Sequence, residues 1–178
     1  KTFLYPNPLH YRVITELIYD TNATILFGSD YTLSLYANNA NPYDFYSLRY
    51  VAAASEKLQD NTFRLWTEKF GIRILEAYGM TEASPAVSLN TPMHYRHGSV
   101  GRFLPKMDYK IEPISGISQG GRLYISGPNI MLGYLKHDMP GVVQAPPDGW
   151  HDTGDIVHVD SEGFAHIQGR VKRFAKIA

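Results

Sequence analysis

Ile72-Arg73-Ile74-Leu75-Glu76-Ala77-Tyr78-Gly79-Met80-Thr81-Glu82 is the stretch on which the reading of this chain turns. Its first half, Ile72 to Ala77, is β-prone and reads as a strand. Its second half places a ring, a glycine, a hydroxyl and a carboxylate at the strand's exit. A ring can stack on a flat base, and a glycine lets backbone approach a ligand closely. The Thr81 hydroxyl can donate to a phosphate oxygen. The Glu82 carboxylate can hold Mg²⁺, which binds through one or two carboxylates plus substrate phosphates. An ordinary strand-to-loop exit uses the same residue types, so the meaning depends on what surrounds it.

Working back from Ile72, Gly71 reads as the C-cap of a helix over Asn61 to Phe70, with Phe63, Trp66 and Phe70 on one face. Leu48 to Ala54 reads as a strand and Asn41-Pro42-Tyr43-Asp44 as a turn. Ser29 or Asp30 caps a helix carrying Leu33, Leu35 and Tyr36. Ala23 to Phe27 is a strand ended by Gly28. Tyr11 to Tyr19 is a helix from the spacing of Val13, Ile14, Leu17 and Ile18. Thr2 to Tyr5 is expected to be a first strand, closed by Pro6 and Pro8. Strands alternating with helices in this way build a parallel sheet with covering helices. Ligands of such sheets lie outside the carboxyl ends of the strands. The segments leaving the third and fourth strands are Ser55-Glu56-Lys57 and Tyr78 to Glu82.

Beyond Asn90 the texture changes to frequent glycine and proline with short β-like runs. Met107 to Ile111, Arg122 to Ser126, Ile156 to Val159 and Phe164 to Gln168 are candidate strands. The expected fold is therefore α/β: a partial parallel sheet with covering helices, followed by a small, mostly antiparallel β subdomain or barrel. The expected division is 1–92 for the α/β part and 93–170 for the β-rich part, with 171–178 beginning a further element.

Composition excludes several classes. The chain has 178 residues, enough for a real core, and 44% of them are hydrophobic, which excludes disorder as the main state. Lys+Arg and Asp+Glu both number 17, so no basic field is available for nucleic acid. Cysteine is absent, which removes disulfides, thiolate catalysis and Cys-based zinc sites. No apolar run reaches the length of a membrane span. Lys1 to Pro6 lacks the pattern of a signal peptide and reads as the interior of a longer chain.

Two segments carry the polar chemistry of the second half. One runs Gly121-Arg122-Leu123-Tyr124-Ile125-Ser126-Gly127-Pro128-Asn129-Ile130-Met131-Leu132-Gly133-Tyr134. The other is Gly149-Trp150-His151-Asp152-Thr153-Gly154-Asp155, continued by Gly163 to Arg170. Asp155, at the start of a strand, can accept from two vicinal hydroxyls such as a ribose presents; it can equally be a turn residue satisfying local backbone. Arg170 offers fixed donors for phosphate or ribose oxygens, or a surface ion pair. Asp152 and Asp155 lie three residues apart on an extended stretch and face opposite ways, which argues against a hydrolytic carboxylate pair. His94 and His97 lack the further ligands of a metal set.

In this order, Glu-Ala-Tyr-Gly-Met-Thr-Glu, Gly-Arg-Leu-x-x-x-Gly-x-x-x-x-x-Gly-Tyr, Thr-Gly-Asp and Gly-Arg resemble the adenylate-forming superfamily of acyl-CoA synthetases, luciferases and peptide-synthetase adenylation domains. Phe3 to Pro6, Pro8 to Arg12, Asn41 to Tyr46 and Gly169 to Ala178 look like the acyl-ACP synthetase part of the bacterial bifunctional acyltransferase/acyl-ACP synthetase family. That resemblance implies a fragment of an enzyme that converts a long-chain fatty acid and ATP to acyl-AMP, with Mg²⁺. The acyl group would then pass to the phosphopantetheine thiol of acyl carrier protein. Lysophosphatidylethanolamine would be re-acylated by another domain of the parent, at the cytoplasmic face of the bacterial inner membrane.

Carried over by motif, Tyr78 would stack on adenine within the segment Glu76, Ala77, Tyr78, Gly79, Met80. Thr81 would bind the α-phosphate, Glu82 would hold Mg²⁺, Asp155 would bind the ribose hydroxyls, and Arg170 would contact ribose and phosphate. Thr81, Glu82 and Arg170 would carry the catalysis. Ser55, Glu56 and Lys57 occupy a segment that borders the adenine, with Ser55 and Lys57 replacing the family's Gly and Pro. Lys172 falls where the family has its hinge. The small run Ala52-Ala53-Ala54 would leave room for an acyl chain, or simply pack tightly in a buried strand. The family's Ser/Thr/Gly-rich phosphate loop and adenylation lysine do not occur in the sequence, so the fragment alone is expected to be inactive. The competing reading is a non-catalytic nucleotide- or carrier-protein-binding module.

Overall fold

Helix α1 (Tyr11–Asp20) buries Thr15 and Ile18. Helix α2 (Asp30–Asn39) begins where Ser29 leaves the helical region and forms a reciprocal cap with Thr32. The Ser29 N–H donates to the Thr32 hydroxyl at 3.0 Å, and the Thr32 N–H donates back to the Ser29 hydroxyl at 3.4 Å. Asp30 sits in the first turn, where a carboxylate complements the helix dipole. Helix α3 (Asp60–Phe70) ends at Gly71, whose φ of 66° is the left-handed cap that a side chain disfavours. This computed structural model describes residues 1–174.

Two compact units divide the chain, Lys1–Ala77 and Tyr78–Ala178. In the first, strands β1 (Ile25–Gly28), β2 (Tyr50–Ala53) and β3 (Ile74–Gly79) run parallel in that order. Leu26 is in register with Val51, and Val51 with Ile74, which points Val51, Ala53 and Ile74 into the core with α2 and α3. Trp66 lies at the centre of that core with no exposed surface. Its ring stacks on Phe45 at 5.0 Å, and its indole N–H donates to the Leu33 carbonyl at 2.9 Å. The Tyr36 hydroxyl reaches the Pro8 carbonyl at 2.8 Å, tying the segment before α1 to α2.

The expected strand at Thr2 to Tyr5 is not formed; these residues are irregular. Phe3 and Leu4 are 58% and 86% exposed. An apolar β-prone run becomes a strand only where a neighbour takes its backbone hydrogen bonds, and no described strand does so here.

The second unit is mostly antiparallel. After the 3-10 turn Thr81–Ala83 come β4 (Ala86–Leu89) and β5 (Arg102–Phe103), paired antiparallel. Then follow β6 (Asp108–Glu112), β7 (Gly121–Ser126), the short hairpin β8 (Tyr134–Leu135) and β9 (Val143–Gln144), β10 (His151–Val159), β11 (Ala165–Arg170) and helix α4 (Val171–Phe174). The larger sheet has the order β11-β10-β7-β6. Burial alternates along β7, with Gly121, Leu123 and Ile125 inside. Leu123 and Ile125 meet Val87, Met107, Val157 and Ala165 in the core of this unit. Among the described residues no helix is long and apolar enough to cross a membrane.

Candidate functional site

Strand β10 does not run straight. Its register on β7 passes from Asp152–Tyr124 to Ile156–Arg122, so four steps on one strand match two on the other. The sequence Thr153-Gly154-Asp155 fills this bulge, and each residue has a physical task. The Thr153 hydroxyl donates to the Leu123 carbonyl at 2.9 Å, pinning the bulge to β7. Gly154 adopts φ 68°, which only glycine takes without strain. The Asp155 N–H donates to the Thr153 hydroxyl at 3.1 Å, and the Asp155 side chain turns inward. Asp155 therefore sits mid-strand behind a bulge, rather than at a strand start as the sequence suggested. Asp152 faces the other way and forms a two-point ion pair with Arg122 at the surface.

Asp155 is the centre of a polar cluster. Its side chain is 5% exposed. The Tyr78 hydroxyl donates to Oδ2 at 2.6 Å, and Arg170 Nε donates to Oδ1 at 2.9 Å. Arg170 is the cross-strand partner of Asp155, and its side chain is 66% exposed, so its guanidinium reaches from the buried carboxylate into solvent. Burial, and then the hydrogen bond to Asp155, push the Tyr78 phenol well above its ordinary range, so it remains a donor.

Glu82 stands in the same electrostatic neighbourhood. The Tyr134 hydroxyl donates to its Oε1 at 2.6 Å. That bond holds the Glu82 carboxyl below its ordinary value, helped by its own backbone N–H and by the charges of His151 and Arg170. The Tyr134 phenol is correspondingly pushed up to about 12 by its bond to Glu82 and by burial. Arg170 thus bonds Asp155, and its charge adds a small favourable field at Glu82. Thr81 is exposed at the first position of the 3-10 turn. Gly79 precedes it because the backbone folds back on itself: a Cβ there would collide with the Pro85 carbonyl oxygen. Met80 N–H donates to that same oxygen at 2.8 Å.

Glu76, Ala77, Tyr78 and Gly79 all lie on β3, with Glu76 buried. Ser55, Glu56 and Lys57 belong to the first unit. Ser55 holds φ 77°, a glycine-like conformation at the position where the resemblance expects glycine. The Glu56 carboxylate accepts from the Tyr31 N–H at 2.9 Å and is held low by that bond, so it caps the start of α2. Lys57 is exposed, as is Lys172 on α4. Residues 175–178 of the expected hinge segment lie outside the described residues.

Sequence reasoning missed Tyr134 and His151. Tyr134 closes the second motif and His151 stands just before Thr153-Gly154-Asp155, but the motifs assign no role to either, and nothing in the spacing shows that a side chain on the two-residue strand β8 would reach Glu82. Among the described residues no group of three or more His, Asp or Glu is arranged to hold a metal by itself. Glu82 still fits Mg²⁺, which needs one or two carboxylates when phosphate oxygens complete its shell.

The AMP-binding enzyme family matches residues 2–135. A 4-coumarate–CoA ligase-like protein of Arabidopsis thaliana is 35% identical over 142 residues, covering 75% of this chain and 25% of that protein. A long-chain-fatty-acid–CoA ligase of Escherichia coli O157:H7 is 35% identical over 134 residues, covering 72% and 24%. Among solved structures, ATP-bound MatB from Rhodopseudomonas palustris superposes with a TM-score of 0.76 at 27% identity, covering 94% of this chain and 34% of MatB. The chain belongs to the AMP-binding enzyme family, in the adenylate-forming superfamily. It spans about a quarter of the length of these curated relatives.

Proposed function

We propose that this chain carries the nucleotide-binding part of an ATP-dependent acid–thiol ligase acting on a long-chain fatty acid. A carboxylate oxygen of the acid attacks the α-phosphorus of ATP, pyrophosphate leaves, and acyl-AMP forms. A thiol sulfur then attacks the acyl carbonyl and AMP leaves. The observation that carries this reading is the convergence of Tyr78 and Arg170 on the buried Asp155. Asp155 spends one lone pair of each oxygen on these donors and keeps others for the two ribose hydroxyls. The far end of the Tyr78 ring is fixed by the same bond, which orients its face for adenine between Glu76 and Met80. Thr81 and Arg170 donate to phosphate oxygens as negative charge builds there. Mg²⁺, held by Glu82 and phosphate oxygens, supplies further neutralisation of that charge. By the resemblance alone, Ser55 to Lys57 are assigned to the segment that borders adenine and Lys172 to the hinge, which begins at 171 after domains assigned to 1–92 and 93–170.

The thiol is assigned to the phosphopantetheine arm of acyl carrier protein, in a parent that re-acylates lysophosphatidylethanolamine at the inner membrane. The segments Phe3 to Pro6, Asn41 to Tyr46 and Gly169 to Ala178 support that choice, while the named relatives are CoA ligases. The test uses the full-length ligase with ATP, Mg²⁺ and a long-chain fatty acid. Pyrophosphate release is expected, lowered by about 100-fold or more in Glu82→Ala, with acyl transfer to holo acyl carrier protein exceeding transfer to CoA. Release that Glu82→Ala leaves undiminished contradicts the reading, and preferred transfer to CoA contradicts the choice of thiol. The 178-residue chain alone is expected to release none.

A further inference from the structure

We infer that Tyr134 is a positioning residue for Glu82, fixing the direction of the carboxylate that the proposed function assigns to Mg²⁺. The inference rests on that assignment. Glu82 is only partly buried, and a glutamate there would ordinarily wander over several rotamers. The Tyr134 hydroxyl donates to its Oε1 at 2.6 Å, a short bond to a charged acceptor. The remaining lone pairs of the carboxylate stay available to a cation.

The rest of the segment is seated without this hydroxyl. Met131 N–H donates to the Glu82 backbone carbonyl at 2.8 Å. Asn129 Nδ2 bridges the carbonyls of Ala83 and Ala86 at 2.6 and 2.9 Å. These bonds fix the backbone of the turn, whereas the Tyr134 bond acts on the glutamate side chain. The Tyr134 ring also lies 6.4 Å from that of His151, a contact that phenylalanine would keep. Tyr134→Phe therefore removes one hydrogen bond and leaves the loop and ring in place. The hydroxyl stands on a two-residue strand with its neighbour Leu135 exposed, so packing alone gives no reason for tyrosine there.

Two measurements test this. In the 178-residue chain, three-bond NMR couplings along the Glu82 side chain are expected to report one rotamer, and averaged rotamers in Tyr134→Phe. In the full-length ligase, the Mg²⁺ concentration that half-saturates binding of ATP is expected to rise about tenfold in Tyr134→Phe, the scale of one side chain's rotamer freedom. AMP affinity without Mg²⁺ is expected to hold. Unchanged couplings overturn the inference, as does an unchanged Mg²⁺ requirement or an equal loss of AMP affinity. Glu82→Ala separates this from failure of the functional reading. If that variant leaves the Mg²⁺ requirement unaltered, the assignment of Glu82 falls. If it raises the requirement and Tyr134→Phe does not alter it, only the role of Tyr134 falls.

Discussion

Asp155 shows how much one residue depends on its neighbours. A buried carboxylate is costly unless hydrogen-bonded, and here both oxygens are engaged. Its two donors lie 77 and 15 residues away in the chain. Ser55 is the opposite case, a residue working against its own backbone. A left-handed conformation costs a residue with a Cβ about 1–2 kcal/mol, of which about half returns when glycine loosens the unfolded chain. Ser55→Gly is therefore expected to raise stability by about 0.5–1 kcal/mol, seen as a higher urea midpoint at unchanged slope. A lower midpoint would mean that the hydroxyl contributes more than the strain removes.

At the scale of elements, Trp66 couples α3 to α2 by its bond to the Leu33 carbonyl, and α3 to the turn after α2 by packing on Phe45. Trp66→Ala should cost about 3–5 kcal/mol, the range for emptying a large aromatic site, measured by denaturant unfolding. The turn joining β10 to β11 is held by Asp160. Its Oδ1 accepts from the N–H groups of Glu162 and Phe164 at 2.9 and 3.0 Å, and Arg96 donates to Oδ2 at 2.7 Å. Burial alone would raise its carboxyl; the Phe164 N–H, His166, the Glu162 N–H and Arg96 together bring it down to about 2 from 3.8. A depressed folded value gives stability that is complete above 3.8 and lost as pH falls through the folded value of about 2. Asp160→Asn should flatten the decline of the thermal midpoint across that window. A decline as steep as in the wild type would place the acid sensitivity elsewhere.

Across the whole molecule, what the sequence disclosed was local. The helices were readable because their apolar residues recur at helical spacing and their ends carry Ser29 and Gly71. The antiparallel strands around Leu123 and Val157 were readable from short apolar runs between turn residues. Thr2 to Tyr5 misled because β propensity says nothing about whether a partner strand is present. The bulge at Thr153 to Asp155 and the reach of Tyr134 to Glu82 were not legible. Both arise from pairings between distant segments, which leave no periodicity. Membership of the AMP-binding family gives these residues a common context, and the proposal is that they share one nucleotide. Titrating the ¹⁵N-labelled chain with AMP tests it most directly. Weak binding is expected, with shift changes concentrated at the amides of Tyr78, Thr153 to Asp155 and Arg170, and lost in Asp155→Asn. Changes gathered elsewhere, or none at these amides at millimolar AMP, would contradict it.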